Sequence, residues 1–570
     1  MSLARVSAAY GLVALAVLVV ARLLIAGGLP APRLALLVFA AVAGYPLALA
    51  AAWLRGGEEP RGSRGGPALA AGLFGAFAVL AAAWIGLRGG QDVTTSSDPG
   101  TTAGPPVVVV LPLIELERRG DRYYVDGLTD ELAAGVAAIE GVELWGRESA
   151  RDFVDVNRDA AALGARLGGT AVLDGTVRRS GGRIRLSVRL LETASGEALW
   201  SMSRDTTATG FYALRDSVAT AVAAAFGLEP DEPTVDRWER RRTDPSTLDL
   251  YMLGRFQWAS GPRGDLLQAA SYYQLALESD TTFVPAWVAL AETFATLPRF
   301  TRFPTERVRR DGAAAARTAL RLDPESHAAH TVLGEILYLY EWDWEGARSH
   351  LERARSMAPG EASPRAGLCE LSIALGRLDE ARSACDAARR RDPLAFRPAW
   401  LASTLARAEG RSEVGAAILD SLAGAYPDFE PVAAERVIAH LATGDTAGDR
   451  RRLVEWFTLL GPAALADSLA LALGEEVGAG AAGAGPSAAV LQALERVASE
   501  LDPDPSHLAA LAAGYGAIDL AAATLEAALA DRAPGALFAG VLPAYAAVRE
   551  REEVMRRLSE AGLSGSDPVR

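Results

Sequence analysis

Residues 329–359, AHTVLGEILYLYEWDWEGARSHLERARSMAP, decide the fold of this chain. Small residues at Gly334, Ala347 and Ala354 leave room for two helices to approach each other closely. The stretch closes at Pro359, which cannot continue a helix because its ring removes the amide hydrogen and clashes with the preceding turn. The stretch therefore predicts a pair of antiparallel helices with a tightly packed interface.

The same pattern recurs along the chain with a nearly constant period. Four prolines that end similar helices are spaced 35, 34 and 34 residues apart: Pro324, Pro359, Pro393 and Pro427. At a constant distance before each of these prolines lies an alanine or its replacement: Ala319, Ala354, Ala388 and, in place of alanine, Leu422. A period of 34 is typical of tetratricopeptide repeats, which five segments beginning near residues 248, 285, 329, 362 and 399 resemble. The resemblance implies an all-α solenoid over 245–460, with degenerate helical repeats over 461–570.

A tetratricopeptide solenoid has a concave groove lined by the first helix of each repeat. The family's groove positions fall here on Tyr251, Arg255, Trp258, Glu292, Glu335, Tyr338 and Glu370. Aromatic side chains among mixed charges suit an extended peptide or a partner helix. The alternative for these side chains is plain solvent exposure, or packing against the domain that precedes the repeats.

The domain that precedes the repeats, 107–228, has a sequence pattern that predicts both strands and helices. The run VVVVLPLIEL at 107–116 predicts a buried strand, and DGLTDEL at 126–132 predicts a turn into a helix with Asp126 as its N-cap. A short strand at 142–145 and a helix at 159–167 follow. Segments 170–178, 183–190 and 197–203 predict an antiparallel meander with one wet, arginine-bearing face, and 211–226 predicts a closing helix.

Several of these blocks, in this order, resemble the TolB-N-terminal-like (FlgO-like) α/β domain of bacterial proteins. They are VLP at 110–112, DGLTDEL at 126–132, LDGTVRR at 173–179, RIRLSVRLL at 183–191 and GEALW at 196–200. Relatives often carry a cytoplasmic DNA-binding, kinase or cyclase domain ahead of this one. This chain has apolar segments there, so no such activity is predicted. Asp126, Asp130 and Glu131 are interpreted as caps and partners of the helix dipole.

Three apolar segments, 7–28, 34–54 and 67–87, are each long enough to cross a bilayer, and residues 1–88 are predicted to hold three transmembrane helices. Arginines cluster in the loop 55–66, which the positive-inside rule places in the cytoplasm. The large C-terminal part is then predicted on the periplasmic side of a bacterial inner membrane. The alternative of a cleaved signal peptide is disfavoured because Arg22 interrupts the first segment. Residues 89–106 predict a flexible linker.

Charge and cysteine content limit the remaining function classes. The formal net charge of −14 disfavours a broad nucleic-acid surface. Cys369 and Cys385 fall on the two helices of one repeat, where they form either a disulfide or two buried free thiols. No nucleotide-binding, hydrolase or metalloprotease motif is present, so we predict no enzyme, no cofactor and no metal.

Together these features predict a multi-domain chain: N-terminal transmembrane helices, a small α/β domain and a C-terminal helical-repeat solenoid. The predicted function is a membrane-anchored scaffold that binds a protein or peptide partner in the cell envelope. The alternative is a signalling membrane protein that passes an external binding event to a cytoplasmic partner.

Overall fold

The computed structural model describes residues 105–563, apart from 117–121, 146–161, 163–167, 181–182, 208–209, 229–243, 260–264, 302, 394, 444–445, 462–487 and 501–502. The three predicted membrane segments, most of the linker, the carboxyl terminus and, except for Ala162, the helix predicted at 159–167 lie outside the described residues. Within the described part of the chain, no helix combines the length and the apolar character that a membrane crossing requires.

The small domain is a mixed sheet covered by two helices. Its elements are β1 (Val107–Val110), β2 (Ile114–Glu115), α1 (Arg122–Ala137), β3 (Glu143–Trp145), β4 (Ala171–Ser180), β5 (Arg183–Glu192), β6 (Ala198–Thr207) and α2 (Phe211–Ala225). The strand order is β3-β1-β4-β5-β6. Strand β1 runs parallel to both β3 and β4, whereas β4, β5 and β6 form the predicted antiparallel meander.

The predicted strand at 107–116 is wrong as a single element, because it breaks at Pro112 into β1 and β2. Proline has no amide hydrogen to give to a neighbouring strand. Both pieces pair with β4, and between them the Leu113 amide donates instead to the Thr129 hydroxyl at 3.0 Å. The second piece is not buried, since Ile114 is 40% exposed.

The predicted N-cap at Asp126 is also wrong. Helix α1 begins four residues earlier, at Arg122, so Asp126 lies inside the helix. The earlier start adds Tyr124 and Val125 to the buried core, and their burial favours helix before the expected turn. Gly127 lies inside the helix, and a larger residue does not fit there because Met252 of the repeat region packs directly over it and leaves no room for a side chain.

The meander has the predicted alternation of faces. Ile184, Leu186 and Val188 on β5 are buried, while Arg185 and Arg189, which alternate with them, are exposed. Arg185 forms a bidentate ion pair with Asp205 of β6, with N–O distances of 2.6 and 2.7 Å. The arginine-bearing face is therefore a solvated sheet surface held by cross-strand ion pairs.

The rest of the described chain is helical, and the predicted solenoid of paired helices is confirmed. The first five pairs are α3 (Pro245–Ala259) and α4 (Leu266–Ser279); α5 (Val284–Phe300) and α6 (305–322); α7 (327–341) and α8 (Trp344–Met357); α9 (Ser363–Ala374) and α10 (Leu378–Arg391); α11 (Phe396–Ala408) and α12 (Ser412–Ala425). Helices α6 and α7 contain π-helical segments at Val308–Gly312 and Leu337–Glu341. A sixth pair is α13 (Glu430–Leu441) and α14 (Thr446–Leu460).

The periodic prolines and small residues have the predicted roles. Helices α6, α8, α10 and α12 each end two residues before a periodic proline. Ala319, Ala354 and Ala388 are fully buried at the interfaces between helices. At Gly334, a side chain would have its Cβ only 2.8 Å from Leu351 of the paired helix, so the close approach of α7 and α8 requires glycine.

The C-terminal helices, predicted as degenerate repeats over 461–570, also contact repeats that are distant in sequence. They are α15 (Ala488–Glu500), α16 (Pro505–Gly514), α17 (Ile518–Asp531), α18 (Ala546–Arg549) and α19 (Glu552–Glu560). They fold back onto the early repeats. Arg532 donates to the backbone carbonyls of Tyr340 and Glu341 at 3.1 and 2.6 Å, and the Trp344 indole donates to the Ala561 carbonyl at 3.2 Å.

A buried ionic cluster attaches these helices to the sixth pair. Glu435 of α13 lies 2.5 Å from Arg407 of α11 and 3.6 Å from His507 of α16. Burial disfavours both charged forms. Its effect on His507 is outweighed by Glu435 and Asp504, which raise the histidine pKa to about 9. Arg407 and His507 similarly lower the Glu435 pKa to about 2.

We expect this cluster to make the stability of the C-terminal helices depend on pH. The His507 contribution is complete below about pH 6.5, the unfolded-state pKa, and is lost as pH rises towards 9. The Glu435 contribution is complete above about pH 4.5 and is lost as pH falls towards 2. Thermal melts of the wild type and of His507→Gln should therefore differ most below pH 6.5 and converge near pH 9. A constant difference over pH 5–9 would contradict the assignment.

Cys369 of α9 and Cys385 of α10 are joined by a disulfide in the structure, with Cα atoms 5.0 Å apart. Cys369 is fully buried and Cys385 is 5% exposed. The bond closes a loop of 16 residues within the fourth helical pair.

Reduction of this disulfide should lower the free energy of unfolding by about 3 kcal/mol, because it releases a loop of this length in the unfolded chain. Urea unfolding with and without dithiothreitol measures the change. A Cys369→Ser/Cys385→Ser double variant is the control and should not respond to the reductant. Two titratable thiols in unreduced, denatured protein would show instead that the cysteines are free.

Candidate functional site

The small domain is docked against the first helices of the solenoid. Arg179 of β4 forms an ion pair with Asp249 of α3, in which its Nη2 donates to both carboxylate oxygens at 2.9 and 2.7 Å. Further along, the Gly360 amide donates to the Ala137 carbonyl at 3.3 Å, and a Cβ at Gly360 would lie only 2.8 Å from that oxygen. The docking therefore relies on close backbone approach as well as on charge.

Two of the predicted groove residues, Tyr251 and Arg255, are used in this docking. The Tyr251 hydroxyl donates to Glu131 at 2.9 Å, and Arg255 donates to Asp130 at 3.2 Å. Both side chains are nearly buried, at 5% and 8% exposure. At these two positions the structure has packing against the α/β domain, which was the alternative to an open groove.

Asp130 and Glu131 consequently have a different role from the one predicted. They lie in the middle of α1, not at its start, so they do not cap the helix or stabilise the charge of its N-terminus. Glu131 is held by Tyr251 and, at 3.3 Å, by Arg215 of α2. These carboxylates connect the small domain to the repeats.

Trp258 and Glu292, two further predicted groove residues, both contact Arg255. Arg255 bridges them: its guanidinium carbon lies 5.2 Å from the centre of the Trp258 indole, and its Nη1 donates to Glu292 at 3.2 Å. The Glu292 side chain is 30% exposed, so this part of the inner face still contacts solvent.

Glu335, Tyr338 and Glu370 form a second cluster around two arginines. Glu370 is 1% exposed; it accepts from Arg299 at 2.7 Å, from Arg397 at 2.9 Å and from the Tyr338 hydroxyl at 2.8 Å. Arg397 also donates to Glu335 at 2.5 Å. Burial raises the pKa of the Glu370 carboxyl, but the two arginines outweigh it, and the pKa lies below its ordinary value.

Sequence reasoning missed Arg299 and Arg397. Arg397 lies on α11, the first helix of the fifth repeat, where the consensus is weak and the list of groove positions had ended. The repeat period does not lead to it, because residue 370 carried forward by 34 positions is Thr404. Arg299 lies in the last turn of α5. Its position depends on how far that helix continues.

A cavity of about 620 Å³ separates the small domain from the solenoid. Helices α1 and α2 form one wall, and α3, α5, α7, α8 and α9 form the other. Its interior includes Val288, Ala289 and His327, and burial lowers the pKa of the His327 imidazole although Glu361 opposes this. Exposed side chains such as Glu140, Arg353 and Ser356 lie at its rim.

The helical region is similar to known tetratricopeptide-repeat proteins. Residues 338–403 match the sequence profile of the family described as Tetratricopeptide repeat. Among solved structures, a thermophilic tetratricopeptide-repeat protein of Thermus thermophilus is 22% identical, with 34% of this chain and 93% of that chain covered and a TM-score of 0.25. A tetratricopeptide repeat protein of Parabacteroides merdae is 12% identical, covers 56% of this chain and 100% of that chain, and has a TM-score of 0.28.

A curated relative matches a shorter part of the chain. The protein named "Putative adenylate cyclase 3" of Rhizobium meliloti (strain 1021) is 25% identical over 159 residues, which are 28% of this chain. The chain spans about a quarter of that relative's length, 27%. Residues 338–403 of the helical region thus match the tetratricopeptide-repeat profile, and the paired helices on either side of them resemble such repeats.

Proposed function

We propose that this chain is a binding scaffold and not an enzyme, in which the helical repeats and the docked α/β domain together hold a protein or peptide partner. The cavity between the two domains is the observation that carries the proposal. Outside the cavity, Glu335, Tyr338 and Glu370 are engaged by ion pairs and hydrogen bonds within the chain. The cavity is a recess in the described part of the chain that a partner segment can enter.

The size and lining of the cavity support this use. Its volume of about 620 Å³ lies within the usual range for ligand pockets, and its lining combines apolar side chains with charged ones. The exposed rim allows access from solvent. A partner segment could bury an apolar or charged anchor here while the rest of it follows the rim, which is how few residues dominate many interfaces.

Site-specific photo-crosslinking in cells tests the proposal. A photoreactive amino acid replaces Ser356 at the cavity rim, and a matched variant carries it at Ser271, an exposed serine of α4 outside the cavity. We expect a discrete crosslinked product from position 356 and none from position 271. Equal labelling at both positions, or no product at 356, would contradict a partner at this recess.

We also propose that the scaffold is anchored in a bacterial inner membrane through 7–28, 34–54 and 67–87, with the repeats on the periplasmic side. The apolar length of these segments and the arginine-rich loop between the second and third support this. Alkaline phosphatase and fluorescent-protein fusions placed just after Gly100 test the topology. Phosphatase activity without fluorescence is expected; the reverse would place the repeats in the cytoplasm.

A further inference from the structure

We propose that the contact between the imidazole rings of His330 and His350, the histidine pair, holds one wall of the cavity at neutral pH and is lost in acid. The inference rests on the proposed function in one respect, because the cavity is the recess assigned there to a partner. It adds a means of regulating that recess.

The two rings of the histidine pair face each other across the interface of α7 and α8. Their Nδ1 atoms are 2.7 Å apart, and their ring centres are 4.9 Å apart. Nitrogen atoms that are so much closer than the ring centres lie between the rings and point at each other. The contact is therefore a hydrogen bond with one proton between the two nitrogens, since two bare or two protonated nitrogens would repel each other at this distance.

A second contact decides which ring donates. The Nε2 of His330 lies 3.2 Å from the Pro324 carbonyl oxygen, which can only accept, so this Nε2 carries a hydrogen. A neutral imidazole has one N–H group, so the Nδ1 of His330 is bare and accepts from the Nδ1–H group of His350. The Nε2 of His350 is then the one basic nitrogen of the pair that can take a proton without breaking the bond.

The histidine pair is connected to the cavity on both of its sides. Pro324, whose carbonyl accepts from His330, belongs to the turn 323–326, and the other three residues of this turn line the cavity. On α8, Arg353 follows His350 by one turn and lines the cavity as well. A movement of either ring therefore reaches the wall of the recess.

Acid breaks the hydrogen bond of the histidine pair at the second added proton. The first proton goes to the Nε2 of His350 and leaves the bond in place, now with a charged donor. The second has to go to the Nδ1 of His330, which sets two N–H groups and two positive charges against each other. The rings then have to separate, and their separation loosens the interface of α7 and α8 beside the cavity.

The surroundings of the histidine pair keep both rings neutral near pH 7. Burial lowers the pKa of the His330 imidazole; the carbonyl that it contacts opposes this, and Arg353 of α8 adds to it. Burial also lowers the pKa of His350; the neighbouring ring and Arg317 of α6 add to this, and Asp343 at the N-cap of α8 opposes it. Because both pKa values are lowered, the contribution of the pair to stability is complete above about pH 6.5, the unfolded-state pKa, and is lost as pH falls below it.

Nitrogen NMR of the full chain carrying isotope-labelled histidine tests the hydrogen bond directly. The chain has 5 histidines, so single substitutions assign the signals. At about pH 7.5, above the ordinary histidine pKa, we expect a hydrogen on the Nδ1 of His350 and on the Nε2 of His330. Hydrogens on the Nε2 atoms of both rings would overturn the proposal.

Hydrogen exchange at about pH 7.5 and about pH 5, on either side of the ordinary histidine pKa, tests the consequence for the helices. After correction for the pH dependence of chemical exchange, α7 and α8 should open at least about fivefold more often in acid, the effect of two unit charges in contact even at the dielectric constant of water. The wild-type chain and two asparagine variants are compared.

His350→Asn should abolish the acid response, because its amide can donate to the neutral His330 ring and, turned over, accept from the charged one. His440→Asn is the matched control: His440 contacts Asp420 in the sixth pair, and its loss should leave the response of α7 and α8 in place. An equal acid response in His350→Asn and the wild type would overturn the proposal. If His350→Asn is unstable at neutral pH, the positions of the ring hydrogens in the wild type decide by themselves.

Crosslinking at position 356, repeated in cell extracts at the same two pH values, separates this inference from the proposed function. A crosslink that weakens in acid in the wild type, but not in His350→Asn, supports both. A crosslink of equal strength at both pH values keeps the scaffold and rejects its regulation by the histidine pair. An acid response of α7 and α8 without any crosslink keeps the proton-dependent contact and rejects the partner.

Discussion

Replacing Glu370 by alanine is expected to lower the free energy of unfolding of the repeat region by about 3–5 kcal/mol, the usual cost of removing one partner from a buried ionic cluster. The carboxylate is 1% exposed and compensates both Arg299 and Arg397. Without it, two guanidinium groups lie close together with only Glu335 as a described carboxylate partner of Arg397. The Tyr338 hydroxyl also loses its acceptor.

Urea unfolding followed by circular dichroism measures this effect. Glu380→Ala is the matched control, because Glu380 lies in the same repeat but is 54% exposed and pairs with Arg348 on the surface. Its loss should cost less than about 1 kcal/mol. If Glu370 served only as a groove contact for a partner, Glu370→Ala would leave the unfolding midpoint unchanged and weaken partner binding alone.

The second large effect is expected at Arg255, where replacement by methionine should destabilise the docking of the α/β domain by about 3 kcal/mol. Methionine keeps most of the side-chain length but leaves Asp130 buried without its guanidinium partner. Glu292 suffers less, since its side chain is 30% exposed and can be solvated. Hydrogen exchange should show faster exchange of α1 amides, because α1 carries Asp130 and Glu131.

A double-mutant cycle makes this prediction specific. Asp130→Leu in the Arg255→Met background removes the carboxylate that has lost its guanidinium contact and should recover part of the stability. Arg551→Met is the control, since Arg551 pairs with Asp519 on the surface, where their side chains are 51% and 95% exposed. Unchanged α1 exchange in Arg255→Met would show that the Arg255 ion pairs do not hold the two domains together.

Local patterns in the sequence predicted the elements that depend on short-range physics. The spacing from Pro324 to Pro427 predicted the paired helices, because proline ends a helix wherever it occurs and a buried alanine or glycine is needed wherever two helices touch. The alternation along 183–190 predicted β5 and its wet face, because a strand turns successive side chains to opposite sides. Both signals extend over a few neighbouring residues.

The predictions from local sequence were wrong where a contact with a distant residue outweighed the local preference. Asp126 has the composition of an N-cap, but the burial of Tyr124 starts the helix earlier. Pro112 sits within an apolar run, and Thr129 satisfies the amide that follows it. In each case a contact with another element decided between two locally acceptable conformations.

The sequence by itself determined the helical repeats, the meander and the residue types along the inner face of the solenoid. Only the tertiary structure decided what those residues contact. Arg255 meets Asp130 across a separation of 125 residues, and Arg397 meets Glu335 across 62. Such contacts depend on how the repeats curve and where the small domain docks, which is the sum of many packing interfaces. For that reason the contacts of the predicted groove residues, and the cavity between the domains, are visible only in the folded chain.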